Sequence, residues 1–171
     1  MKNTVKRAGK TALFLTRGAI IAAMYIALTH LANAFGLASG VIQVRISEAM
    51  AILPLFFPEA IAGLTLGCFI ANLTTGAVVW DIIFGSFATL LGAVGAYLMR
   101  NIPEKIKSLA TLPTIISNTV IVPFVLIYAY GAEGGYPLFL LTVFVGEVIS
   151  AGILGSLLYY SLRKFDLGGK I

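Results

Sequence analysis

Apolar residues along this chain neither alternate nor recur on one face; they run on, and the runs are broken by short clusters of Gly, Pro and charge. Read by those runs and their punctuation, helices are predicted over 12–35, 44–57, 60–76, 81–99, 113–130 and 137–162. Gly36, Ser39 and Gly40 mark the first loop, Pro58 and Glu59 a tight turn, 100–111 a polar loop, and 131–135 a Gly-containing one. The second helix is short and carries Pro54, so it is not expected to span fully on its own. At about 20 apolar residues per crossing, the pattern predicts an all-α membrane protein, a bundle of six transmembrane helices.

Composition strengthens that picture. Of 171 residues, 59% are hydrophobic and 11% charged, against roughly 45–50% apolar content in a soluble domain. Six spans with short loops use almost the whole length, so one membrane domain over 1–171 is expected, with a basic segment 1–11 and a tail 163–171. The net charge of +5 is explained by topology rather than nucleic acid, because the basic residues sit at the ends of apolar segments. With the N-terminus inside, Lys2, Lys6, Arg7, Lys10, Arg17, Arg100, Lys105, Lys107, Arg163, Lys164 and Lys170 are all cytoplasmic, and only Arg45 lies outside. Both termini are therefore expected in the cytoplasm. Trp80, Tyr130 and Tyr136 then fall at the outer boundary, and Tyr97, Tyr159 and Tyr160 toward the inner one.

The N-terminus imitates a signal peptide, ending in Ala32-Asn33-Ala34. Its apolar stretch exceeds the usual roughly 7–15 residues, and cleavage would leave five spans, so retention is expected.

Catalytic machinery is not visible. Gly168-Gly169-Lys170 lacks the spacing and hydroxyl residue of a phosphate loop. One His, one Cys (Cys68, in an apolar stretch) and scattered carboxylates give neither a metal set nor a nucleophilic triad. No enzyme activity, cofactor or metal is expected.

Polar groups at membrane depth are costly and mark functional candidates. They are Thr29 and His30 late in helix one, Gln43, Arg45 and Glu48 at the first loop and second helix, Asn72 late in helix three, Trp80 and Asp81 opening helix four, Asn118 in helix five and Glu147 in helix six. Most cluster in the outer half, as a pocket open to the outside would require. Two carboxylates near an aromatic ring suit a planar, donor-rich or cationic ligand. Each residue also has a structural use. Arg45 and Glu48, three apart, serve as an ion pair or as ligand contacts. Asp81 serves the helix dipole or a ligand, and Trp80 the interfacial belt or a stacking platform. His30 reads as an interfacial side chain, and Asn72 and Asn118 as pocket groups or interhelical glue. For Glu147, function is the stronger reading.

Small residues form a second pattern. Ala19, Ala23 and Ala27 recur every fourth residue on helix one, and Gly63 and Gly67 do the same on helix three, a spacing that lets another helix approach closely.

These features resemble the substrate-binding S components of energy-coupling-factor transporters. Closer still, 44–49 (VRISEA), 67–73 (GCFIANL), 80–86 (WDIIFGS), 116–123 (ISNTVIVP) and 146–150 (GEVIS) look like the QueT family. The resemblance implies an S-component-like bundle in the bacterial cytoplasmic membrane that takes up a queuosine precursor, an aminomethyl-substituted deazaguanine or related base. It also implies a shared transmembrane coupling subunit and two ATPase subunits as partners, docked on Ala19, Ala23 and Ala27. A guanine-like edge presents N–H donors to a carboxylate, its carbonyl needs a donor such as Asn72 or Gln43, and an aminomethyl group needs a second acid. Asp81 and Glu147 are the acids favoured for the ligand, with Arg45 and Glu48 at the gate. An S component for another vitamin-like molecule and a proton-coupled secondary transporter are the alternatives.

Overall fold

The computed structural model describes residues 2–37 and 42–165, with side chains from Arg7 onward. Ser39 and Gly40 of the expected first loop and Gly168, Gly169 and Lys170 of the expected tail lie outside the described residues. The described chain is helical and contains no strand. In order come α1 (Lys2–Ala34), a 3-10 helix (Ile46–Leu55), α2 (Ala60–Thr74), α3 (Val79–Leu98), α4 (Leu112–Tyr128) and α5 (Tyr136–Glu147), which runs through a π-helical segment (Val148–Leu154) into α6 (Gly155–Leu162). Four stretches are long and apolar enough to cross a membrane: Arg7–Ala34, Val79–Asn101, Glu104–Tyr128 and Tyr136–Leu162. The 3-10 helix and α2 are shorter apolar helices. The polar loop expected over 100–111 is largely wound into 3-10 turns, Met99–Asn101 and Glu104–Thr111.

The second predicted helix differs most from expectation. Its ten residues form a stretched 3-10 helix, which at about 2 Å rise per residue reaches some 20 Å where an α-helix of that length would reach about 15 Å. It is buried from Ser47 to Pro54 except at Ala49, because it packs on α1, α2, α3, α6 and the π segment. It is the central rod, and Met50 and Leu53 join Ile21, Tyr25, Leu64 and Cys68 in the core.

Because this rod returns the chain, α1 and α2 lie side by side in the same direction, Gly18 beside Glu59 and Gly67 beside Ala22 and Tyr25. The Gly63/Gly67 face makes that contact. A Cβ on Gly63 would stand 2.7 Å from the Gly18 carbonyl oxygen, and one on Gly67 2.9 Å from Tyr25 Cβ, so only glycine permits the approach. The 3-10 helix and the last rod run parallel in the same way. Gly146 abuts the Gln43 carbonyl, Ser150 Oγ accepts the Arg45 backbone N–H at 3.0 Å, and Gly155 faces Ala49. The spacing between these small residues is four and then five. The wider π turn is what keeps Gly155 on the face that Gly146 and Ser150 present.

Candidate functional site

Polar side chains gather where α1, α2 and α4 end and α3 begins. There a cavity of about 420 Å³ opens, inside the roughly 300–1,000 Å³ range of small-molecule sites. Thr29 of α1, Gln43 and Arg45 ahead of the 3-10 helix, Asn72 of α2 and Asp81 of α3 give its polar walls, while Val122, Val125 and Leu126 of α4 give an apolar one. Tyr130, just beyond α4, closes one side. Apart from Arg45, basic residues gather at the other end of the bundle, where Arg17 meets Glu59 at the start of α2 and Lys107 meets Glu104 beside Tyr159 of α6.

Asp81 is 6% exposed and is placed by the first turn of α3, where a carboxylate favours the helix dipole. Its Oδ2 accepts the Tyr130 hydroxyl at 2.9 Å, while Oδ1 has no hydrogen-bond partner. Burying an unpaired carboxylate oxygen costs about 1–3 kcal/mol or more; this one is fully buried, and a Cβ on Gly85 would stand 3.2 Å from it. Asn72, packed behind it, donates to the Asp81 carbonyl at 3.4 Å. The Arg45 guanidinium forms no ion pair with any described residue.

The other predicted residues are distributed as follows. Glu147, also buried, accepts from Asn118 Nδ2 at 3.1 Å through Oε1 and leaves Oε2 unpaired. It lies off the main cavity in a small pocket that Gln43 and Arg45 also wall. Asn118 therefore sits behind Glu147 rather than on the cavity wall. Arg45 and Glu48 do not pair. Glu48 is turned to α1, where it accepts the Tyr25 hydroxyl in the core, and does not line the cavity. His30 pairs with Thr74 at 2.9 Å near the surface. Trp80 is 58% exposed on the outside of the bundle, stacked on Phe84 above an apolar groove between α3 and α4. It does not reach the polar cavity. Ala19, Ala23 and Ala27 are all exposed.

Two contributors escaped the sequence reading. Tyr130 reads as an interfacial belt residue, yet its hydroxyl bonds Asp81 and accepts the Val78 N–H at 3.4 Å, tying the turn after α4 to the start of α3. Tyr25 looks like one more aromatic residue in an apolar run, and the acid it serves lies 23 positions away. Neither pairing leaves a local signal.

Residues 15–164 match the QueT transporter family. Over 73 residues the chain is 36% identical to the Queuosine precursor transporter QueT of Lactococcus lactis subsp. cremoris (strain MG1363), a match spanning 43% of this chain and 43% of that relative. No solved structure matches it.

Proposed function

The chain belongs to the QueT transporter family, which makes it a transporter rather than an enzyme, and on that footing we propose that it captures a queuosine precursor, an aminomethyl-deazaguanine or related base, as the S component of an energy-coupling-factor importer. The 420 Å³ cavity holds the substrate. The observation that carries this reading is Asp81, a buried acid in the cavity wall with one oxygen satisfied by Tyr130 and the other unanswered. A guanine-like edge offers paired N–H donors to such a carboxylate. Gln43, Arg45 and Asn72 supply donors for its carbonyl.

The whole chain acts as one domain in the bacterial cytoplasmic membrane, crossing it six times with both termini inside. The basic end, where Arg17, Arg100, Lys107 and Arg163 gather, supports that orientation, and it directs the cavity outward. A shared transmembrane coupling subunit and two ATPase subunits supply energy, which fits a chain without a phosphate loop. The coupling subunit docks on the exposed stripe of Ala19, Ala23 and Ala27.

Replacing Ala23 with Trp tests the assignment. The residue stands six positions before Thr29, about 9 Å along α1 from the cavity, so affinity of the purified protein for the aminomethyl-deazaguanine stays at the wild-type value. Uptake in cells holding the coupling and ATPase subunits is abolished, and the complex no longer co-purifies. Accumulation of substrate by liposomes containing this chain alone, without ATP or partners, would overturn the reading.

A further inference from the structure

The end of the bundle away from the cavity carries more positive charge than its acids use. Its described acids are taken, Glu59 by Arg17 at 3.4 Å and Glu104 by Lys107 at 3.0 Å. Arg100, Lys105, Arg163 and Lys164 form no ion pair with a described residue. The fold gathers them. The 3-10 turns Met99–Asn101 and Glu104–Thr111 pack on each other, and the second packs on α6, which Arg163 and Lys164 follow directly.

Local packing holds these cations at the membrane interface rather than out in water. The Arg100 guanidinium lies 4.0 Å over the centre of the Tyr97 ring, and that of Arg163 5.3 Å over Tyr160; tyrosines at the ends of membrane helices sit at headgroup depth. A ring face attracts a guanidinium without neutralising it. The Glu104–Thr111 segment buries Ala110 and Thr111 against the bundle and leaves Ile106 45% and Leu109 47% exposed beside Lys105. Exposed apolar side chains next to a cation mark a segment that lies in the interface with its apolar face toward acyl chains. Arg7 and Lys10 differ. They stand about 10–15 Å further out along α1 than Arg17, beyond that level.

We infer that Arg100, Lys105, Arg163 and Lys164 form a collar that binds anionic phospholipid headgroups, with the acyl chains lying over Ile106 and Leu109. Clustered Lys and Arg beside the end of a membrane helix complement such headgroups in charge, and here the acids that could have answered them are already paired. The inference rests on the chain's place in a membrane and not on what the cavity binds.

The test is spin-label electron paramagnetic resonance on the full chain in phosphatidylcholine bilayers, comparing spin-labelled phosphatidylglycerol with spin-labelled phosphatidylcholine. Wild type takes the anionic label into its lipid shell with a preference of about threefold to tenfold. The preference collapses at about 1 M salt, where charge is screened beyond about 3 Å. Lys105→Gln/Lys164→Gln brings it below about twofold. Arg7→Gln/Lys10→Gln, which removes the same charge from the outer reach of α1, leaves it at the wild-type value. All four side chains are exposed, so both variants elute as wild type on size exclusion and keep its affinity for aminomethyl-deazaguanine, measured by calorimetry. Should the first variant not fold, either of its single substitutions carries part of the same loss. Equal association of the two labels with wild type overturns the collar. So does a preference that survives high salt, or one lost to millimolar inorganic phosphate at constant ionic strength, as cations serving a free anion would give. Equal losses in the two double variants, the result of net charge alone, overturn it as well. A chain that binds no deazaguanine leaves the lipid readout untouched and counts against the cavity reading alone.

Discussion

The two ends of this bundle treat their acids in opposite ways. At the basic end acids are answered: buried Glu59 pairs with Arg17 at 3.4 Å, and Glu104 takes both Lys107 at 3.0 Å and the Tyr159 hydroxyl. Arg17 and Arg163 lie over Phe57 and Tyr160. At the cavity end Asp81 and Glu147 each keep an oxygen without a partner, and Arg45 forms no ion pair with a described residue. A protein interior seldom leaves such groups unsatisfied unless something else is to meet them. On the proposed function, the first end holds the rods together and the second receives a ligand. Disturbing the first should cost structure, and disturbing the second should cost binding.

The contrast breaks most completely where neither end can form. Gly67→Leu drives a side chain into Ala22 and Tyr25 of α1, overpacking worth about 1–3 kcal/mol or more, and it splits the α1–α2 contact shared by both ends. Folded protein should be lost, as seen by size-exclusion chromatography in detergent; a monodisperse variant of wild-type melting temperature would refute the close-packing account.

A smaller effect sharpens the binding side. Tyr130→Phe removes the hydroxyl on Asp81 Oδ2 and frees the turn that it ties to Val78. Loss of one hydrogen bond to a charged group, about 1.5–3 kcal/mol at most, is partly recovered by ligand or water. Affinity should fall about threefold to tenfold, with the melting temperature moving little. A change in stability without a change in affinity would place Tyr130 with the structural end.

The smallest expected effect belongs to the basic end. Tyr159→Phe deletes the bond to Glu104, whose side chain is 60% exposed, so stability should drop by at most about 1 kcal/mol. Ligand affinity should stay unchanged in the same calorimetric assay. A clear loss of affinity would mean that the two ends are not independent.

The helical rods were legible because long apolar runs admit few structures in a membrane. Helix six, expected over 137–162, is the Tyr136–Leu162 rod. The stretched 3-10 geometry of Ile46–Leu55 was not legible, since it comes from packing on several neighbours at once. Nor was the parallel contact of α1 with α2, although the Gly63/Gly67 spacing announced that some helix would approach there. For the cavity, polarity at membrane depth pointed to Asp81, Arg45, Gln43 and Asn72, and the structure brings them together. That criterion cannot see direction. Trp80 and Asp81 are adjacent in sequence, yet a helix turns about 100° per residue, and one lies outside the bundle while the other faces in. Tyr130 was missed for the converse reason: a belt residue and a hydrogen-bond donor to a buried acid have the same side chain.

The central claim is that Asp81 keeps its free oxygen for the substrate. Titrating aminomethyl-deazaguanine calorimetrically into the purified wild-type chain and into Asp81→Asn tests it most directly. The account predicts one-to-one binding by wild type and a loss of about tenfold to a hundredfold or more in the variant. Wild-type affinity in a well-folded Asp81→Asn protein would contradict it.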